Sequence, residues 1–275
     1  MIGGKRRVSL TLAMAIAAAV FVLPQLWLFS LSLKDKAGIS EYPPRWIPSH
    51  GSPANYAFVL AQSQVPWYLL NSARVAVLAT LLTLLLAVPA AYVLSRERFR
   101  GQKGVLAGTL VLQMVSPVVL LVPIYGLMSA LGLIDTHAGL VLVYAAMQLP
   151  LTVAVLKTFF DGVPDALLEA ARLDGASRAR IAAQVALPLV APGLGATAIF
   201  NLAAYWSEFA LALVLLDSQP RFTIPVGLFS FQSGYETDWH LVAAASFIGL
   251  VPVMLAFVLL QRYFVAGLTA GAVKG

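Results

Sequence analysis

The most distinctive chemistry of the sequence lies in a short charged stretch between two long apolar runs. Residues 169–176 read EAARLDGA, and Leu187 and Pro188 follow eleven residues later. This pattern suits docking rather than catalysis. The acid supplies a charge, the two alanines let another backbone approach closely, and the glycine permits a sharp turn because it adopts positive φ without a Cβ clash. We expect a partner protein to dock here.

The same stretch predicts two short helices that meet at a sharp angle. Pro164 suits the first turn of a helix, where its missing N–H costs little, and Gly175 suits a helix end. Ser177 can cap a second helix, which stops near Leu187 and Pro188. From this pattern alone a hairpin lying on lipid headgroups remains an equal alternative. One face of the first helix is predicted to hold Leu167, Leu168, Ala170, Ala171 and Leu173.

Glu208 is the acid that interrupts an otherwise apolar run, and Tyr205 and Trp206 precede it. A carboxylate inside a membrane is costly, so it should face the interior of the helix bundle or a wet cavity. Two interpretations stay open. The acid lines a translocation path, with the two rings offering faces to a substrate, or it is hydrogen-bonded to a neighbouring helix for assembly.

The sequence lacks the motifs of several other chemistries. It has no cysteine, which excludes thiol chemistry and Cys-based metal sites. It also has no G-x-x-x-x-G-K-[ST], no H-E-x-x-H and no G-x-S-x-G. We therefore expect no catalytic residue, no metal and no cofactor on this chain, and any energy from ATP must come from a partner.

Composition indicates an integral membrane protein. Of its 275 residues 60% are hydrophobic and 11% charged, whereas soluble domains carry roughly 25% charged residues. Six stretches reach or approach the ~20 residues that a membrane helix needs, and none alternates with period 2. We expect an all-α membrane protein with six transmembrane helices at Val8–Leu33, Val75–Ser95, Val105–Ile134, Thr136–Leu156, Leu189–Ser207 continuing to Leu216, and Leu241–Gln261.

The distribution of Lys and Arg predicts the orientation. Of 18 such residues, only a minority fall in the connections predicted to lie outside, so both termini and the docking stretch are expected in the cytoplasm. The net charge of +6 is then a topology signal rather than a nucleic-acid surface. The long first outer loop, about 34–70, is expected to be irregular or partly extended because of its prolines. The outer residues are Lys34, Lys36, Arg45, Arg74 and Arg221.

The docking stretch resembles the EAA loop of permease subunits in bacterial ABC importers. Glu169, Ala170, Ala171, Gly175 and Pro188 stand at the spacing of that family. Segments along nearly the whole chain are similar to the carbohydrate-uptake branch, and within it to the MalG-type maltose and sugar permeases. These segments include PIY at 123–125, LGLIDT at 131–136, WSEF at 206–209 and the chain end at 261–275. Ser207 departs from the Asn common in that branch, which weakens any inference about substrate there.

The resemblance implies a type I importer (MetI-like) architecture. It implies one permease over 1–275, a transmembrane core at 69–264 and a coupling loop at 161–188, in the bacterial plasma membrane. The implied partners are a second, different permease, two copies of a cytoplasmic ATPase that binds ATP and Mg, and an extracytoplasmic sugar-binding protein. The implied ATPase-coupling residues are Glu169, Ala170, Ala171, Asp174, Gly175, Leu187 and Pro188, and the candidate translocation path holds Tyr205, Trp206 and Glu208.

Two functions from other classes compete with this one. A self-sufficient secondary transporter would need coupling-ion sites near the midplane, for which Glu208 alone gives thin support. A membrane-bound enzyme would need a nucleophile and a base, which no motif supplies.

Overall fold

The computed structural model describes residues 4–48, 50–231 and 237–272, and these residues are almost entirely helical. The predicted all-α class is therefore confirmed. Within this part of the chain, four helices are long and apolar enough to cross a membrane. The number rises to six if each of two bent helix pairs forms one span, and these pairs are Gln102–Gln113 with Pro117–Ala130 and Arg178–Leu189 with Ala191–Ser207. The loop predicted between the fifth and sixth spans includes 232–236, which lie outside the described residues, as do 1–3 and 273–275 of the predicted permease.

The helices follow one another with short connections. They are α1 (Gly4–Ser32), α2 (Lys36–Ile39), α3 (Ala54–Gln62), α4 (Val65–Arg96), α5 (Gln102–Gln113), α6 (Pro117–Ala130), α7 (His137–Asp161), α8 (Asp165–Leu173), α9 (Arg178–Leu189), α10 (Ala191–Ser207), α11 (Ala210–Leu215), α12 (Ile224–Phe229) and α13 (Trp239–Ala272).

The chain divides into two compact units. The smaller comprises 1–66 and 227–251, and the larger comprises 67–226 and 252–275. The larger unit contains the docking stretch and Glu208.

In the smaller unit, the described part of the loop predicted to lie outside is more regular than its prolines indicate. It forms α2 and α3, and side chains hold it against the end of α1. Asn55 donates to the carbonyl of Ser32 at 2.8 Å and to that of Lys34 at 2.7 Å. The Nζ of Lys34 donates to the carbonyl of Arg45 at 2.7 Å and lies 4.9 Å from the ring centroid of Trp27. Buried polar groups thus fix a loop that hydropathy alone leaves undefined.

In the larger unit, α4 begins ten residues before the predicted second span, which we started after the charge of Arg74. The reason lies in tertiary partners for the polar residues near its start. Asn71 donates to the carbonyls of Pro220 and Phe222 at 2.8 and 3.1 Å, and the hydroxyl of Ser72 accepts the N–H of Ile224 at 2.7 Å. These bonds let a helix continue through residues that an apolar pattern excludes.

Two predicted spans are broken. The third, predicted as one run, ends as α5 at Gln113 and resumes as α6 at Pro117, because Ser116 is extended and Pro117 can start a helix but not continue one. The fifth ends as α10 at Ser207 and resumes as α11, with Glu208 extended between them. The second break falls at the acid that the sequence singled out.

Asp135 links the connection before α7 to the connection after α11. It has φ +55°, and its backbone N–H donates to the carbonyl of Leu215 at 2.8 Å. Its carboxylate accepts the backbone N–H groups of Asp217 and Ser218 and the hydroxyl of Ser218, and it pairs with Arg221 at 3.3 Å. Burial alone would raise the pKa of Asp135, but these hydrogen bonds and the nearby guanidinium hold it below its usual value.

The core of the larger unit includes α4, α7, α8, α9 and the turn before α10. Leu156 and Ile181 are almost wholly buried in it. At Gly193, in the first turn of α10, the backbone comes so close to the ring of Phe159 on α7 that an added Cβ would lie 2.6 Å from Cδ2. Glycine is required there because of that approach, not because of its φ.

We expect Gly193→Ala to lower the free energy of unfolding by about 1–3 kcal/mol, since the methyl group would be forced into the Phe159 ring. The melting temperature of the purified protein in detergent measures this. Gly104→Ala is the matched control, because nothing lies within 4 Å of a Cβ at that position. Equal melting temperatures for the two variants would contradict the close approach of α10 to α7.

Candidate functional site

The predicted docking stretch forms two helices, α8 and α9, joined by a turn. We call residues 165–189 the elbow. The sequence predicts Pro164 in the first turn of the helix. In the structure Pro164 has an extended ψ and is the N-cap residue, one position before α8 begins. Asp165 begins the helix, where the positive end of the helix dipole favours a negative charge.

The turn of the elbow is closed by backbone groups alone. Gly175 has φ +80°, as its predicted role as a helix stop requires. Its N–H donates to the carbonyl of Arg172, and the N–H of Ala176 donates to that of Ala171, each at 3.0 Å. This pair of bonds is a Schellman motif. The angle between α8 and the following chain is therefore set by the main chain.

The second helix of the elbow starts as predicted and then widens. The hydroxyl of Ser177 accepts the N–H of Arg180 at 3.3 Å, which caps α9. From Ile181 to Ala186 the helix is π-helical, and the N–H of Leu187 bonds to the carbonyl five residues before it. Pro188 explains the widening, because it has no N–H for a carbonyl four residues back and its ring would clash there.

The apolar residues of α8 lie on two faces rather than on the one face predicted. Leu168 is buried in the core and Ala171 is half-buried, whereas Leu167 and Ala170 are exposed and Leu173 is 90% exposed. The inward face anchors α8 to the bundle, so α8 is not a hairpin held only by lipid. The outward face is an exposed mixture of apolar and small side chains.

Most of the predicted coupling residues share this outward position, but Ala171 lies on the inward face. Glu169 is exposed, and among the residues that the structure describes it has neither an ion-pair nor a hydrogen-bond partner. Asp174, Gly175 and Pro188 are exposed as well, while Leu187 is half-buried. The elbow thus presents an unpaired acid on the exposed face of α8, and the backbone turn at Gly175 fixes the angle of that helix to the chain that follows.

Arg96 also belongs to this site. The pattern of Lys and Arg treats it only as one of the charges predicted to lie in the cytoplasm. It is the last residue of α4, and its side chain reaches Asp165 at the start of the elbow. A basic residue at the end of a span is a topology signal in any membrane protein, and its partner stands 69 positions away. No spacing in the sequence could have revealed the pair.

Glu208, the second predicted site, fills the break between α10 and α11. One carboxylate oxygen accepts the N–H of Leu211 at 2.8 Å, and the other accepts the N–H of Ala212 at 3.1 Å. The hydroxyl of Tyr144 on α7 donates to the same second oxygen at 2.7 Å. The carboxylate therefore caps α11 and bonds to a neighbouring helix, which is the geometry of the assembly interpretation.

The two aromatic residues beside Glu208 are buried in this chain. Thr83 uses its single hydroxyl hydrogen on the carbonyl of Ala79, so the Tyr205 hydroxyl, 2.7 Å away, is the donor to Thr83. The ring of Tyr205 stacks on that of Tyr144 with centroids 5.3 Å apart, and Trp206 is 8% exposed. The stack of Tyr205 on Tyr144 supports the ring that donates to Glu208. Substrate contact by Tyr205, Trp206 and Glu208 stays a prediction.

The sequence and fold match known proteins over almost their full lengths. The profile of one family, described as "Binding-protein-dependent transport system inner membrane component", matches residues 79–269. The chain is 34% identical to the sulfoquinovosyl glycerol transport system permease protein SmoH of Agrobacterium fabrum, over 94% of this chain and 93% of that one. It is 35% identical to the diacetylchitobiose uptake system permease protein DasC of Streptomyces coelicolor, over 92% of each.

A solved structure has the same fold. A chain from a bacterial ABC transporter that imports the acidic polysaccharide alginate superimposes with a TM-score of 0.81 and 21% identity, over 96% of this chain and 99% of that one. At this identity the likeness establishes the architecture.

We expect Tyr144→Phe and Glu208→Gln each to lower the melting temperature, because a hydrogen bond to a charged group contributes about 1.5–3 kcal/mol. The double variant should be less destabilised than the sum of the two, since Tyr144→Phe removes the Tyr144–Glu208 bond and Glu208→Gln weakens the same bond by removing the charge of its acceptor. Tyr125→Phe, which alters an exposed hydroxyl, is the control and should have no effect. Strict additivity of the two single changes would show that the Tyr144–Glu208 bond does not stabilise the protein.

Proposed function

The chain belongs to the family of binding-protein-dependent transport system inner membrane components, and from that premise we propose that it forms one half of an ATP-driven pore that imports a sugar. It is a multi-pass permease subunit of an ABC importer, and ATP hydrolysis resides on a separate subunit. The names of two relatives, a sulfoquinovosyl glycerol permease and a diacetylchitobiose permease, support a sugar or sugar derivative as the substrate.

One observation supports docking of the ATPase at the elbow. The outward face of α8 carries an unpaired, exposed Glu169 beside exposed Ala170 and Leu173. Small side chains let a partner approach closely, an exposed leucine gains from burial, and an unpaired acid can find a basic partner across an interface. The buried Leu168 on the opposite face ties any movement of this surface to the bundle.

The proposed mechanism is alternating access. ATP, held with Mg on the partner, closes two ATPase copies, and α8 and α9 move with them. The elbow passes that displacement to α7 and α10, and the pore opens outward to receive a sugar from an extracytoplasmic binding protein. Each state is favoured by different contacts with the ATPase, as any ligand-driven shift requires. A second, different permease subunit completes the pore in this proposal.

The secondary-transporter alternative loses support at Glu208. All three of its hydrogen bonds come from donors of the same chain. A carboxylate that caps a helix and accepts a tyrosine hydroxyl has three of its roughly four acceptor sites occupied, so a coupling ion would compete with these donors. The elbow would also have no task in a transporter that works alone.

We expect Glu169→Lys to reduce co-purification of the ATPase with this chain while the variant still inserts into the membrane, because the change reverses the charge on the docking face. Gly175→Val should reduce coupling as well, since valine at φ +80° is strained and alters the elbow angle. Asp217→Lys, an equal charge reversal on an exposed residue outside the elbow, is the control. If both elbow variants bind the ATPase normally and transport normally, the docking site lies elsewhere.

The predicted orientation is testable directly, because the chain has no cysteine. We expect a single cysteine introduced at Arg180, which is exposed on α9, to react with a membrane-impermeant maleimide only after the cells are opened. A cysteine at Asp217 should react in intact spheroplasts. The reverse pattern would place the elbow outside and would rule out a cytoplasmic ATPase as its partner.

A further inference from the structure

A single arginine joins α4 to the start of the elbow. Nη1 of Arg96 lies 2.6 Å from Oδ1 of Asp165, the first residue of α8. Nη2 donates to the carbonyl of Val163 at 2.6 Å and also to the carbonyl of Phe160. These carbonyls stand at the C-terminal end of α7, where a cation is favoured by the helix dipole. One guanidinium thus holds the ends of three helices.

The exposures of the partners indicate where the strength of this joint lies. The Arg96 side chain is only 9% exposed, whereas that of Asp165 is 81% exposed. An exposed ion pair contributes little through attraction alone because water screens it. The backbone carbonyls are fixed, and a planar guanidinium bonds to several acceptors in one geometry. The joint therefore constrains position more than it adds stability.

The residues on either side of Arg96 also contact neighbouring segments. The hydroxyl of Ser95 donates at 2.6 Å to Asp161, which pairs with Lys157 at 2.7 Å. Glu97 pairs with Arg178, the first residue of α9, at 3.1 Å, and the Arg178 side chain is 81% exposed. The Glu97–Arg178 pair joins α4 to the elbow in water, so it provides a matched control for the enclosed joint at Arg96.

The surfaces behind Arg96 are apolar and closely packed. The rings of Tyr92 on α4 and Phe160 on α7 meet edge to face, with centroids 5.5 Å apart. Leu94 and Leu168 belong to the same buried cluster. Apolar packing is non-directional, so it keeps α4 and α8 together but restricts their position along one another less than directional bonds do. The directional bonds of Arg96 supply that restriction.

We propose that Arg96, with Asp165 and the carbonyls of Phe160 and Val163, is the joint through which the elbow moves α4. We call this set the Arg96 clamp. The proposal rests on the function proposed above and adds α4 to the spans that the ATPase displaces. The elbow reaches α7 and α10 through the chain itself, whereas α5, α6 and α7 separate it from α4 in sequence. Side-chain contacts must therefore carry the displacement to α4.

The experiment follows two fluorophores in the intact transporter with its ATPase. An environment-sensitive dye is placed on a cysteine at Arg180 in the elbow or at Leu85, which is 71% exposed on α4. ATP with vanadate is added, and the change in emission is recorded at each position. Arg96→Gln, Arg96→Lys, Asp165→Ala and the control Arg178→Ala are compared with the wild-type protein, together with the melting temperature and the rate of ATP hydrolysis of each.

In the wild-type transporter we expect ATP to change the emission at both positions. Arg96→Gln should leave the response of the elbow intact and reduce that of α4 roughly fivefold or more, the scale of a typical coupling free energy. Asp165→Ala should reduce the α4 response while lowering the melting temperature only slightly, because Asp165 is exposed and its interaction with the helix dipole is weak in water. Adding it to Arg96→Gln should reduce the response no further. Arg96→Lys should restore little, since an ammonium lacks the planar fork. Arg178→Ala should leave the ratio of the α4 response to the elbow response as it is in the wild type.

Three results would overturn the clamp. One is a normal α4 response in both Arg96→Gln and Asp165→Ala. Another is a loss equal to that of Arg178→Ala, which would make Arg96 an ordinary surface charge. The third is loss of ATPase binding in Asp165→Ala alone, which would make Asp165 a docking residue. A wild-type transporter whose elbow does not respond to ATP would instead contradict the proposed function, so the two failures are distinguishable.

Discussion

The constraint behind this structure is that backbone N–H and C=O groups in a lipid-embedded chain must find partners within the protein. At several helix ends and breaks in the described part of the chain, a side chain or a backbone turn supplies these partners. Glu208 accepts the free N–H groups at the start of α11. Thr136 does the same for α7 by accepting the N–H of Gly139 at 3.0 Å. The Schellman motif at Gly175 satisfies carbonyls at the C-terminal end of α8, and Arg96 donates to carbonyls at the C-terminal end of α7.

The acid in the predicted fifth span, Glu208, holds a helix break in place through its hydrogen bonds. A carboxylate that accepts three hydrogen bonds loses less by leaving water than an unpaired one. Its partners come from its own helix and from α7, so it also fixes the break against a neighbouring helix. Any substrate path along this helix would have to be built around Glu208, with Tyr205 and Tyr144 stacked beside it.

The sequence predicted those features that depend on local chemistry. The elbow, its glycine turn, the cap at Ser177 and the interruption at Glu208 all follow from residue types and their spacing, and the all-α class follows from composition. The predicted start of the second span is wrong, because hydropathy treats Asn71 and Ser72 as breaks. In the structure they find partners some 150 residues away, and the helix continues through them. The two faces of α8 were merged into one because Leu167 and Leu168 are equally apolar, and only the packed structure shows which of them faces the core. Arg96 was missed for the same reason as Asn71, since long-range pairs leave no local pattern.

The elbow turn has a further consequence for partner choice. Because its two closing bonds join backbone atoms only, every side chain on its outward face can change without altering the angle, provided that Gly175 remains. The chemistry of the outward face and the angle of the elbow are thus determined by different parts of the chain. If the ATPase docks at the elbow as proposed, substitutions on the outward face of α8 would change which ATPase binds, while the angle of the elbow would stay the same.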